Sequence, residues 1–162
     1  MAAKRDQATP SQDELTDALV GASRALIAIA VRSLADAADG LTLVQYRALV
    51  VLSYRGAMRV ADLAEHLSVN SSTATRLCER LVRKELVSRV SDPDDGRATR
   101  IAITTAGNSV VAAVTTRRRT EISKIARRMP VEHRRAAVES LEAFTLASGV
   151  APEQSWTLGW TS

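Results

Sequence analysis

Only one cysteine, Cys78, stands in this chain of 162 residues. No disulfide can form within it, which excludes a small stapled secreted scaffold and makes a reducing cytoplasm the expected compartment. Histidine is almost as scarce: His66 and His133 are the only two. Asp62 and His66 share i, i+4 spacing, but no multi-ligand cluster accompanies them, so they read as a solvated helix face and no metal is expected. Aromatic residues make up 3%, leaving a core of Leu, Val, Ile and Ala, which pack well helix on helix. Four prolines and seven glycines leave room for long uninterrupted helices. No apolar run approaches the roughly 20 residues of a membrane span, and the opening MAAKRDQATP lacks the apolar segment of a secretory signal. No nucleophile–base pair, carboxylate dyad or phosphate-cradling glycine loop is legible either, so neither catalysis nor a cofactor is expected.

What is present is ordinary in amount and uneven in place. The chain is 46% apolar and 25% charged with a net charge of +4, close to common globular usage. Residues 1–54 carry 5 basic and 6 acidic side chains, residues 55–100 carry 9 and 7, and residues 105–147 carry 8 and 4. The cationic excess therefore lies beyond residue 54, which favours a polyanionic partner there.

Periodicity divides the chain. Residues 1–10 are polar and expected to be disordered. A helix over 11–40 carries Leu15, Leu19, Ala22, Leu26, Ile29 and Ser33 on one stripe. Thr42-Leu43-Val44-Gln45 is a capping box opening a helix that runs to about Tyr54, with Tyr46, Leu49, Val50 and Leu52 mostly inside. A short helix over 60–67, a turn at Val69-Asn70 and a helix over about 71–84 capped by Asn70 form a helix-turn-helix pattern. In the last of these, Ala74, Leu77, Cys78 and Leu81 face inward, while Ser72, Thr73, Arg76, Glu79, Arg80 and Arg83 fall on the opposite arc. Two strands, about 87–90 and 99–104, flank a tight charged turn and read as a β-hairpin wing with an arginine near its tip. Thr104 or Thr105 caps a helix to about 128, with Val111, Val114, Ile122 and Ile125 on its stripe. Pro130 separates it from a helix over 131–147 that places Val138, Leu141 and Phe144 inside. The tail 149–162 holds Trp156 and Trp160 and is unexplained.

The fold class expected is mainly α: a winged helix-turn-helix over 41–104, with a small antiparallel hairpin, flanked by an α-helical dimerisation layer from helices in 11–40 and 105–148. The flanking helices have apolar faces wider than a small winged lobe covers, so a homodimer about a two-fold axis is expected; the alternative is a bundle within one chain.

From about Leu41 to Gly107 the sequence resembles the multiple-antibiotic-resistance-regulator (MarR) family of winged helix-turn-helix repressors. The resemblance is carried by Val60-Ala61-Asp62-Leu63-Ala64, by Thr75-Arg76-Leu77-Cys78-Glu79-Arg80-Leu81, and by Asp95-x-Arg97 followed by Ile103-Thr104 and Gly107. One departure is Glu85, where the family usually has glycine. Glycine takes a left-handed cap without steric cost; Glu85 costs roughly 1 kcal/mol in that conformation, or the helix ends differently.

Helix-turn-helix geometry sets the N-terminal half of the second helix against base edges, here Ser71, Ser72, Thr73, Thr75 and Arg76. Arg76 suits a bidentate contact to guanine, and Arg80 and Arg83 suit phosphates. Arg97, by the resemblance and by its place beside the hairpin tip, is the minor-groove residue. Asp95 braces it or forms only an ion pair with it; Arg100 contacts a phosphate or faces solvent. The expected partner is double-stranded DNA with a pseudo-palindromic operator. The resemblance further implies a small-molecule effector, an aromatic or lipophilic acid, bound near the starts of the helices at 43 and 105, where Tyr46 and Arg47 are candidates, although Tyr46 also suits plain core. Two alternatives remain: a redox-responsive regulator acting through Cys78, and an architectural DNA-binding protein without sequence preference.

Overall fold

The computed structural model describes residues 9–35, 40–92 and 98–149. Asp95, Arg97, Trp156 and Trp160 lie outside them, as do most of the first ten residues. The elements run α1 (Gln12–Ala35), α2 (Leu43–Arg55), α3 (Val60–Leu67), α4 (Ser71–Arg83), β1 (Val87–Ser91), β2 (Thr99–Ile103), α5 (Thr105–Arg128) and α6 (Val131–Ala147).

Local chemistry sets most of the boundaries. At the start of α1, Ser11 Oγ accepts from the Glu14 amide while Glu14 Oε2 accepts from the Ser11 amide, a capping box that the sequence reading passed over. The same reciprocal pair joins Thr42 and Gln45 at α2. Asn70 Oδ1 accepts from the Thr73 amide at α4, and Thr104 Oγ1 from the Gly107 amide at α5. Each satisfies a donor that the helix leaves open.

Both helices of the helix-turn-helix end the same way. After α3, the Val69 amide donates to the Ala64 carbonyl and the Ser68 amide to Glu65; after α4, the Leu86 amide donates to Leu81 and the Glu85 amide to Val82. These are Schellman closures. They place Ser68 and Glu85 in the left-handed region, each at φ 56°. Glu85 thus adopts the conformation that glycine would take for nothing.

The wing strands pair antiparallel from Val87↔Ile103 to Ser91↔Thr99. Met58 bridges Ile101 on the other edge of β2, so the segment before α3 anchors the hairpin. Leu49, Leu52, Leu63, Leu67, Leu81, Val87, Ile101 and Val114 fill the winged lobe's core. Gly107 is required where α5 meets the wing: an added Cβ would collide with the Leu86 carbonyl oxygen.

The long helices depart from expectation. Of the α1 stripe, Ile29 and Ser33 are buried, and Leu15 and Leu26 are about half exposed. Val111 and Val114 of α5 are buried, whereas Ile122 and Ile125 are exposed. In α6 no residue is buried; Val138, Leu141 and Phe144, expected inside, are 55%, 53% and 50% exposed. Periodicity marks the shared face, but among the described residues of one chain nothing buries it. α1 also corrects the expectation on long apolar segments. It is long and apolar enough, by length and composition, to cross a membrane, with a mean hydropathy of 1.6 over its most apolar 18 residues. Between Asp17 and Ala35 its only charges are Arg24 and Arg32; counting consecutive apolar residues missed this because Ser23-Arg24 and Arg32-Ser33 break the run. Its C-terminal half packs on α5, where Arg32 meets Glu121 at 3.0 Å.

Candidate nucleic-acid interface

α4 presents two unlike faces because its apolar residues recur at i, i+3, i+4 and i+7. Ala74, Leu77, Cys78 and Leu81 are buried; Ser71, Ser72, Thr75, Arg76, Arg80 and Arg83 are exposed and Thr73 is half-buried. The hydroxyl hydrogens of Ser72 and Thr75 are engaged internally. Ser72 Oγ donates to Asn70 Oδ1 at 2.9 Å and Thr75 Oγ1 to the Ser71 carbonyl at 2.9 Å. Their outward lone pairs therefore suit donors such as the exocyclic amines of adenine and cytosine. Arg76 Nε donates to the Ser72 carbonyl at 3.3 Å, which steers the guanidinium along the N-terminal half of the helix.

Arg100 is not simply a solvent-facing strand residue. Its Nη2 lies 2.8 Å from Asp92 Oδ1, and Arg59 Nε and Nη2 each lie 3.0 Å from Asp92 Oδ2. The Asp92 side chain is fully buried. Neither Asp92 nor Arg59 was singled out by sequence. Asp92 is one of several acidic residues in a turn-like run, and Arg59 stands just before the Val60–Ala64 motif without being part of it.

Cys78 is buried in the core of α4. Burial pushes its thiol above the ordinary range, with Glu79 adding to the effect and Arg89 opposing it, so the reactive thiolate is disfavoured. Among the described residues, no group of three or more His, Cys, Asp or Glu is placed to hold a metal ion.

The effector candidates separate. Tyr46 is buried, with the Arg118 guanidinium carbon 5.9 Å from its ring centre; Arg47 is exposed on α2. Ser33 Oγ and Arg118 Nε are buried without a hydrogen-bond partner among the described residues. A separate open cleft of about 270 Å³ lies between the start of α2 and α4, lined by Thr42, Gln45, Val69, Thr73, Arg76 and Arg80 among others.

Comparison with known proteins decides the lineage. The model of the MarR family matches residues 41–99, the span from the α2 capping box into the wing. The crystal structure of RV1404 from Mycobacterium tuberculosis is 42% identical, covers 88% of this chain and 98% of its own, and superposes with a TM-score of 0.83. The chain belongs to the MarR family. MarR-family members are transcriptional regulators and not enzymes. An uncharacterized HTH-type transcriptional regulator of Bacillus subtilis, YxaD, is 40% identical over 68 residues, 42% of this chain and 48% of that protein. The chain thus matches about half the length of the curated relatives. The winged fold recurs in MepR of Staphylococcus aureus, a variant of which was solved bound to an oligodeoxyribonucleotide; it is 21% identical, covers 83% of this chain and 96% of its own, and has a TM-score of 0.63.

Proposed function

We propose that this MarR-family regulator acts as a homodimer that binds a pseudo-palindromic operator in double-stranded DNA, represses transcription there, and is released by a small aromatic or lipophilic acid. One observation carries the reading: α4 buries a complete apolar stripe and exposes Arg76, Arg80 and Arg83 beside a hydroxyl-rich N-terminus. That division leaves one face for base edges and phosphates. The family relationship and the oligonucleotide-bound MepR variant support it. In this reading Arg76 takes guanine, Ser71, Ser72, Thr73 and Thr75 approach bases or phosphates, and Arg80 and Arg83 hold phosphates. Arg97, braced by Asp95, enters the minor groove. The protein works in the cytoplasm, with the DNA.

Dimerisation is supported by the uncovered apolar faces of α1, α5 and α6, including Val31, Ile125 and Leu141, which a two-fold partner buries. For the effector, Tyr46 and Arg47 of α2 remain the candidate residues, and the Arg118 guanidinium of α5 beside the Tyr46 ring supports the reading by adding a cation there. An acid held there releases DNA only by preferring a spacing of the two reading heads that misses successive major grooves. The burial of Cys78 weighs against the redox alternative.

Selection of bound sequences from random duplexes tests the reading and separates it from architectural binding: a two-fold consensus supports it, and recovery without consensus refutes it. Arg76→Ala relaxes preference at one position of each half-site, and Arg97→Ala weakens binding throughout while leaving the dimer intact.

A further inference from the structure

Asp92 is a buried carboxylate at the far end of the wing ladder, one residue beyond the last pair, Ser91↔Thr99. An isolated carboxylate is costly to bury, so such a group is paired. Here it is paired twice over. Arg59, the residue before α3, gives Nε and Nη2 to one oxygen; Arg100 of β2 gives Nη2 to the other. Among the described residues, two guanidinium groups thus converge on one buried carboxylate, which fixes the direction in which each is held. The Arg59 side chain is 52% exposed, and two of its five N–H groups are directed at Asp92, so the remainder of the fork opens to solvent.

We infer that Arg59, held by Asp92 together with Arg100, is a phosphodiester contact at the root of the wing, and that Asp92 is the residue that positions it. This rests on the DNA-binding reading above and adds a contact to it. The arrangement is preorganised: a guanidinium already oriented by a buried carboxylate loses little rotamer freedom on meeting a phosphate. It also ties the wing to α3, so that the hairpin and the helix-turn-helix approach DNA as one body.

The test is duplex binding by the full-length protein across a salt series, using a duplex that the wild type retains. Arg59→Gln lowers affinity on every sequence alike, by about tenfold, and reduces the slope of log affinity against log salt by about 0.9, the share of one phosphate. Arg59→Lys keeps that slope. Asp92→Asn provides the sharper sign: it raises the net charge by one, so a charge-only account predicts tighter binding, whereas a positioning role predicts weaker binding. Thermal melting accompanies each variant; if Asp92→Asn does not fold, the Arg59 pair decides alone. A wild-type slope and affinity in Arg59→Gln, or tighter binding by Asp92→Asn, overturns the inference while leaving DNA binding itself in place. A wild type that binds no duplex removes the DNA reading and this contact with it.

Discussion

Glu85 holds the left-handed position that closes α4, at φ 56°, and its carbonyl accepts from Thr104 Oγ1 at 2.8 Å. The backbone gains its Schellman hydrogen bonds whatever the side chain, so the cost of the Cβ is separable. Glu85→Gly is expected to stabilise the protein by about 1 kcal/mol, read as a higher urea midpoint at unchanged slope. Gly107→Ala goes the other way. Its Cβ runs into the Leu86 carbonyl, which is backbone and cannot swing aside, and a loss of about 1–3 kcal/mol follows. Cys78 makes a pH-dependent prediction. Its thiol is pushed up in the folded state, so the unfolded chain ionises first, at about 8.5. The stability from keeping it neutral is complete below that pH and is lost as pH rises through the higher folded value. Alkylation by iodoacetamide at pH 8 is correspondingly slow in the native protein and rapid in denaturant; equal rates contradict the burial.

Among the elements, those with short-range signals were legible in the sequence. The Thr42–Gln45 box, the Asn70 cap and the i, i+3, i+4, i+7 set of α4 each lie within a few residues, and the structure returns α3, α4, both wing strands and α5 near their expected bounds. The Glu85 conformation was one of two readings left open, and the backbone selects it. What escaped is what joins distant segments. Asp92 and Arg59 are 33 residues apart, and no local pattern announces their pairing. The Tyr46–Arg118 contact similarly joins α2 to α5. The α6 stripe was legible as apolar, but its state was not: periodicity reports which residues share a face and says nothing about which chain covers it. Placing a charge on that face, Leu141→Glu, is expected to separate protomers without unfolding the winged lobe. Each of two symmetric sites loses about 1.5–3 kcal/mol of burial, so the dimer dissociation constant rises about a hundredfold or more. Sedimentation at micromolar concentration checks this; an unshifted dimer assigns α6 to another role.

At the scale of the whole molecule, the winged lobe closes its own core, while α1, α5 and α6 leave theirs half exposed. That division suits a protein whose reading head is complete in one chain and whose spacing requires two. On the proposed function, two heads on a helical layer are expected to engage half-sites about one helical turn apart, roughly 10 bp, with each phosphate neutralised steepening the dependence on salt. On the proposed function, an aromatic acid bound beside Tyr46 is expected to lower DNA affinity in the wild type, and Arg118→Ala, which removes the cation over that ring, is expected to abolish the response while leaving binding in the absence of acid, as titrations of duplex with and without the acid would read. The most direct measurement of the central claim is the mass of the protein–DNA complex formed on a duplex recovered by selection, read together with the selected sequence. Two chains on one duplex, bearing inverted half-sites about 10 bp apart, is the result expected; a single chain on an asymmetric site, or retention of any duplex without preference, contradicts it.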